Sequence, residues 1–255
     1  DLKKGVVYLT AEEEENKTKS AIPENPAEDA PGEENADVTG EELETPEGEE
    51  VEEAEFDLDA QIALFREQIV AEPENCINYY NLAEALSELG DIENAKAEFE
   101  SALKYDVDGA YGAIIHFGIG NLHFNELMKG TSSSVVKSSV GLLSSHKDKT
   151  TITEVVDELY TLPIREFEMA IQDLSRLKAD EDILNFVSKN APVQISSLYY
   201  KWASDLIDKS RQLTEYGGEI RDVQKALKLL KKTLDIDPNH SAAHLVVKLA
   251  KKMLA

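Results

Sequence analysis

One short spacing constrains this chain more than any other feature. Tyr79, Leu82, Ala83 and Leu86 stand at i, i+3, i+4 and i+7, which places them on one face of a helix. Gly90-Asp91 then stops that helix, because glycine supplies the left-handed conformation past a helix end and aspartate can cap the next one. Ala95, Phe99 and Ala102 mark the face of a second helix, with Phe99 as a bulky plug between two alanines that permit close approach. The stretch is read as two short amphipathic helices joined by a tight turn.

Fragments of the same pattern recur along the chain. Ile62, Leu64, Phe65 and Ile69 lie along one face of a helix that Glu72-Pro73-Glu74-Asn75 ends. Residues 110–128 predict another first helix, with Ile114, Phe117 and Gly118 in the slots of Tyr79, Leu82 and Ala83. Its glycines cost roughly 1 kcal/mol each relative to alanine, tolerable where a neighbouring helix packs closely. A Ser-rich insertion follows at about 129–152, read as a loop. Helical signal returns over 153–155, and a delayed second helix is expected at 163–178, with Pro163 in its first turn and Phe167 and Ala170 three apart as Phe99 and Ala102 are. A short extra helix is expected at 180–189, ended by Asn190-Ala191-Pro192. A third first helix then runs over 193–213, where Tyr199, Trp202, Ala203 and Leu206 repeat the opening spacing. Ala226, Leu230 and Thr233 mark its partner, followed by Asp237-Pro238-Asn239-His240. Ser241 is expected to cap a last helix to Leu254, with Leu245, Leu249 and Leu254 inward and Lys248, Lys251 and Lys252 outward.

These residues resemble the tetratricopeptide repeat, a 34-residue helix–turn–helix unit with an aromatic-Leu-small-aromatic first helix and an Ala…Phe…Ala second helix. In the 76–109 copy, seven of the eight signature slots hold an acceptable residue type, and Val107 stands where proline is usual. The resemblance covers about 60–255. It implies an all-α fold of helical hairpins stacked as a right-handed superhelix or solenoid, interrupted by insertions and closed by a terminal helix over the last apolar face. The expected organisation is a disordered acidic tail over 1–58 and a helical domain over 59–255.

Charge supports that division. Of 51 acidic and 26 basic side chains, residues 11–58 hold 20 acidic against two lysines, a net of −18, together with four of the eight prolines. Such a segment buries too little apolar surface to offset the entropy of ordering. Its charge complements a basic face expected on residues 221–255. Ahead of it, Val6-Val7-Tyr8-Leu9 is a short apolar run in an expected weakly ordered terminus. A net charge of −25 argues against nucleic acid, since phosphate neutralisation requires clustered lysine and arginine. No stretch approaches the ~18 consecutive apolar residues of a membrane span. The chain begins at Asp1 rather than methionine, which leaves room for a leader or anchor. The compartment is open, with the cytoplasm favoured.

The search for chemistry in the sequence is negative. Cys76 alone excludes an internal disulfide and reads as a small buried or half-buried side chain. His240 and His244 lack a supporting carboxylate for a metal and read as surface residues at a helix start, while His116 and His123 read as interior or groove polar groups. The serines of the insertion have no His/Asp arrangement to activate them. No catalytic residue, metal site or cofactor site is expected.

In such an array the first helices line the inner wall. By resemblance, the partner-facing positions are Ile77, Tyr80, Glu84, Ser87 and Glu88, then Ile115, Ile119 and Leu122, then Tyr200, Ser204, Ile207 and Asp208. That wall suits a protein or peptide carrying basic residues between apolar anchors. Co-chaperone members that grip acidic chaperone tails use Lys and Asn where Tyr80 and Glu84 stand, so such a clamp is not expected. The function implied is a non-enzymatic adaptor or assembly factor. The alternative is a structural subunit of a multiprotein assembly, docking through the insertion and the extra helix.

Overall fold

The computed structural model describes residues 57–129, 135–139, 151–212 and 220–255. The described residues from Leu58 onward belong to one compact unit. The expected tail up to residue 56 lies outside the described residues, as do the run Val6–Leu9 and residues 213–219, where Tyr216-Gly217-Gly218 suggest a turn.

Eight helices follow in the described part: α1 Leu58–Ala71, α2 Cys76–Leu89, α3 Ile92–Tyr105, α4 Gly112–Met128, α5 Glu158–Asp173, α6 Glu181–Gln212, α7 Ile220–Ile236 and α8 Ser241–Leu254. They pair as hairpins α2/α3, α4/α5 and α6/α7. Each second helix also meets the next first helix, so α1 packs on α2, α3 on α4, α5 on α6 and α7 on α8. This is the expected all-α hairpin array.

The opening hairpin is closed by local chemistry. Asn75 caps α2 by accepting the Ile77 N–H at 3.1 Å. Gly90 takes φ 88°, and the Gly90 and Asp91 N–H groups return to the Ser87 and Leu86 carbonyls at 3.1 and 2.9 Å. Asp91 does not cap α3 through its side chain, as its carboxylate instead accepts Asn94 Nδ2 at 2.7 Å. Ala95, Phe99 and Ala102 are the buried residues of α3, as their spacing requires.

The glycines of α4 are explained by what faces them. A Cβ on Gly118 would lie 2.5 Å from Glu84 Oε1 and 2.7 Å from the Phe99 ring. One on Gly120 would lie 2.8 Å from the Phe167 ring. Phe99 and Phe167 are the plugs of successive second helices, so α4 is thinned on both sides to admit them. Its residues accordingly join two hydrophobic clusters. Ile114, Ile115 and Leu122 pack with α1–α3, and Phe117 and Leu127 pack with α5–α8.

Further expectations are corrected. The delayed second helix α5 begins at Glu158 rather than at Pro163, which sits inside it. Tyr160 ahead of the proline is buried in the second cluster, so packing sets the start of the helix. The extra helix and the third first helix are one helix, α6, running through Pro192. Proline in a helix interior costs ~3 kcal/mol, but Val187, Ala191, Ile195 and Leu198 form one buried stripe across it. Phe186 adds an edge-on contact to Phe117 at 5.5 Å between ring centres.

In α8 the cap is His240, whose Nδ1 accepts the Ala243 N–H at 3.1 Å, and Ser241 is already helical. The inward face of α8 is Ala243, Val246, Val247 and Ala250. Leu245, Leu249 and Leu254, expected inward, are exposed at 65%, 37% and 39%. The leucine spacing was read as the core face, whereas the small residues beside it let α8 approach α7.

The insertion, expected to be a loop, and residues 153–155, expected to be helical, instead contribute two strands. Val135–Ser139 (β1) and Thr151–Val155 (β2) pair antiparallel, Val135 opposite Val155 and Ser139 opposite Thr151, and β2 lies against α6. The β-branched residues of both segments favour this ribbon.

Candidate protein-binding wall

The expected wall is built on α2, α4 and α6, and these helices treat their slots unequally. Tyr80 is 1% exposed and Glu84 6%, and Ile115, Leu122 and Ile207 are also buried. These five cannot present a side chain to a partner. Tyr80 lies 6.1 Å from Phe99, ring centre to ring centre, and Glu84 is pressed against Gly118, so both serve the packing of α2 on its neighbours. Ile77, Ser87, Ile119, Tyr200 and Ser204 are half-buried, and Glu88 and Asp208 are exposed.

Burial pushes the Glu84 carboxyl up to about 8, against a hydrogen bond from Tyr80 that lowers it, with the nearby Glu88 carboxylate pushing it further up. At neutral pH it is chiefly an uncharged acid. The wall therefore loses one of its expected negative charges, and Glu88 and Asp208 are its exposed acidic residues.

Polar pairs lock the hairpins behind the wall. His116 Nδ1 donates to Glu166 Oε2 at 2.8 Å, and Arg165 donates to the other carboxylate oxygen at 3.0 Å. Burial pushes the Glu166 carboxyl up, but the hydrogen bonds and charges of His116 and Arg165 outweigh it and hold it below the usual range. His123 meets Glu126 at 3.2 Å, and burial lowers its affinity for a proton. Farther along, Tyr160 stacks on Trp202 at 5.2 Å and donates to Asp205. Asp157, where the ribbon enters α5, accepts from Trp202 Nε1 at 3.2 Å and pairs with Lys225. This aspartate ties the ribbon end to α6 and α7.

Cys76 is buried, and burial pushes its thiol up to about 11, with Asp106 adding to the effect. His240 lies 4.6 Å from the Tyr200 ring, centre to centre and tilted against it, and His244 Nε2 donates to the Pro238 carbonyl at 2.9 Å. Among the described residues, no group of three side chains could hold a metal ion. No described helix is long and apolar enough to cross a membrane.

Sequence reasoning missed Leu245 and Leu249. Phe65 precedes Tyr79 by fourteen residues, and Leu230 precedes His244 by the same fourteen. With His244 in the aromatic slot, the spacing that selects Tyr80 and Glu84 selects Leu245 and Leu249. The signal was present but went unused, because α8 was read only as a cover.

Alternating first and second helices, each second helix seated on the next first helix, define a helical-hairpin repeat protein. Residues 78–106 match the family model of the tetratricopeptide repeat. That segment, the α2/α3 hairpin, is a tetratricopeptide repeat, and the flanking helices continue its hairpin alternation. No curated protein matches the chain in sequence. Among solved structures, YrrB, described as a TPR protein with an unusual peptide-binding site, is 18% identical, over 74% of this chain and 82% of its own, at a TM-score of 0.32. A TPR repeats protein (BF2334) from Bacteroides fragilis NCTC 9343 is 12% identical, over 77% of this chain and 91% of its own, at a TM-score of 0.24. Likenesses at these TM-scores bear on neither the helix arrangement nor the function.

Proposed function

We propose that the chain is a non-enzymatic protein-interaction module, an adaptor or assembly factor, that holds a partner segment against the wall of α2, α4 and α6. The tetratricopeptide match at 78–106 carries this reading, since hairpin arrays of this kind present extended concave surfaces to proteins. The contact residues are reduced to those with accessible side chains, Ile77, Ser87, Glu88, Ile119, Tyr200 and Asp208, since the Ser204 hydroxyl is buried. The apolar and aromatic members supply anchor sites, and the carboxylates of Glu88 and Asp208 favour a partner with lysine or arginine between its anchors. On this reading residues 59–255 are the binding domain and 1–58 an acidic tail.

The test is affinity capture from the native source by the full chain and by a Glu88→Lys, Tyr200→Ala, Asp208→Lys variant. Glu88 and Asp208 are exposed and Tyr200 is only partly buried against the second cluster, and circular dichroism of the variant checks that it keeps its helical content. Loss of a defined protein from the variant's capture supports the reading. Identical captures, with the variant folded, defeat it. The alternative, a structural subunit docking through the insertion and the extra helix, has less support. That helix is the start of α6, and Phe186 and Val187 in it turn into the second cluster.

A further inference from the structure

We propose that α8 carries a second docking surface, opposite in charge to the first-helix wall, which takes an acidic amphipathic helix of a partner protein. Leu245, Lys248, Leu249 and Lys252 fall at i, i+3, i+4 and i+7, one stripe of α8, and all four are exposed. The opposite face is used up, since Ala243 and Ala250 are buried against the rest of the array. Tyr200, half-buried and in tilted ring contact with His240 at the head of α8, adds an aromatic surface close by.

The charge chooses the occupant. Residues 220–255 hold eight basic and three acidic side chains, a net of +5 in a chain of net −25. Several of those cations are engaged: Lys225 pairs with Asp157, and Lys232 lies over the Tyr199 ring at 4.6 Å. Among the described residues Lys248, Lys251 and Lys252 have no ion-pair partner, and α8 contains no acidic residue. A second copy docking α8 on α8 would bring lysine against lysine. An anionic lipid surface suits the stripe locally but is repelled by the net charge of the whole chain. A helix with leucines on one face and glutamates along its flanks satisfies both parts of the stripe. The inference rests on the slot spacing used for the first-helix wall, but not on the occupancy of that wall.

The experiment measures binding of a labelled Leu/Ala/Glu amphipathic peptide of about 15 residues, near the length at which an isolated helix becomes marginal, to the full chain. A matching peptide with lysine for glutamate and vesicles of anionic lipid are the other arms. The Glu peptide should bind in a salt-sensitive manner, and Leu245→Ser with Leu249→Ser should weaken it roughly tenfold or more, as loss of two anchors does. Lys248→Glu with Lys252→Glu should abolish the Glu peptide's binding and admit the Lys peptide. Glu88→Lys with Asp208→Lys should leave the Glu peptide bound, which separates this surface from the first-helix wall. Four results would overturn the proposal: equal binding of both peptides, no effect of the leucine pair, vesicle binding that the Glu peptide does not compete for, or a self-association lost on Leu245→Ser.

Discussion

Glu84→Gln isolates the electrostatic cost of the α2/α4 contact. The carboxyl titrates at about 8 in the folded chain against an ordinary 4.5, chiefly because α2 and α4 bury it. A carboxyl whose folded value is raised binds more protons folded than unfolded between those two values. Its contribution to stability is fully present below about 4.5 and is lost as pH rises towards 8. From about pH 5 to about pH 8 the window spans roughly three units, each worth ~1.4 kcal/mol, or on the order of 4 kcal/mol of stability lost to this one group. Glutamine keeps the shape and the polar contact with Tyr80 and cannot ionise. Urea unfolding followed by circular dichroism at the two ends of the window gives the comparison. The natural chain should lose on the order of 4 kcal/mol more than Glu84→Gln as pH rises through it. Parallel stability profiles for the two proteins would refute the burial of Glu84 and, with it, the closed packing of α2 on α4.

The remaining predictions concern other parts of the array. Gly118→Ala should destabilise by ~1–3 kcal/mol in urea unfolding despite alanine's better helix propensity, because its Cβ meets the Phe99 ring. Glu166→Gln should act on the opposite pH limb from Glu84: the depressed carboxyl contributes stability above its unfolded value and loses it as pH falls through its folded value. The variant should therefore show a flatter acid limb. Phe167→Ala should cost ~3–5 kcal/mol in the same unfolding assay, since the ring plugs the space left by Gly120. The Cys76 thiol should react with a disulfide reagent far more slowly in the native chain than in urea, because burial keeps it protonated.

The hairpin pattern was legible because it is a spacing rule. The α2/α3 pair, the plugs Phe99 and Phe167, and the close-packed glycines all follow from apolar periodicity and from which slots must be small. What the periodicity could not supply was the context of each helix. Pro192 reads locally as a break, yet the stripe Val187–Ala191–Ile195 carries α6 through it. Leu245 and Leu249 read as inward because they are leucines, yet Ala243 and Ala250 allow the closer approach to α7. The wall was read from slots alone, and slots do not say how closely adjacent first helices approach. Gly118 brings α4 so near α2 that Glu84 disappears into the contact. The ribbon of Val135–Ser139 and Thr151–Val155 was hidden by the serines around its β-branched residues, since composition there outweighed the short alternation within it.

The central claim is that a partner lies along the first helices. Hydrogen exchange of the full chain, alone and bound to the protein captured from its native source, tests it most directly. Binding should slow exchange in the backbone around Ser87–Glu88 of α2, Ile119 of α4 and Tyr200–Asp208 of α6. The second helices α3 and α5 should be unchanged. Protection confined to α3 and α5, or to the ribbon, with the first helices unaltered, would contradict the account.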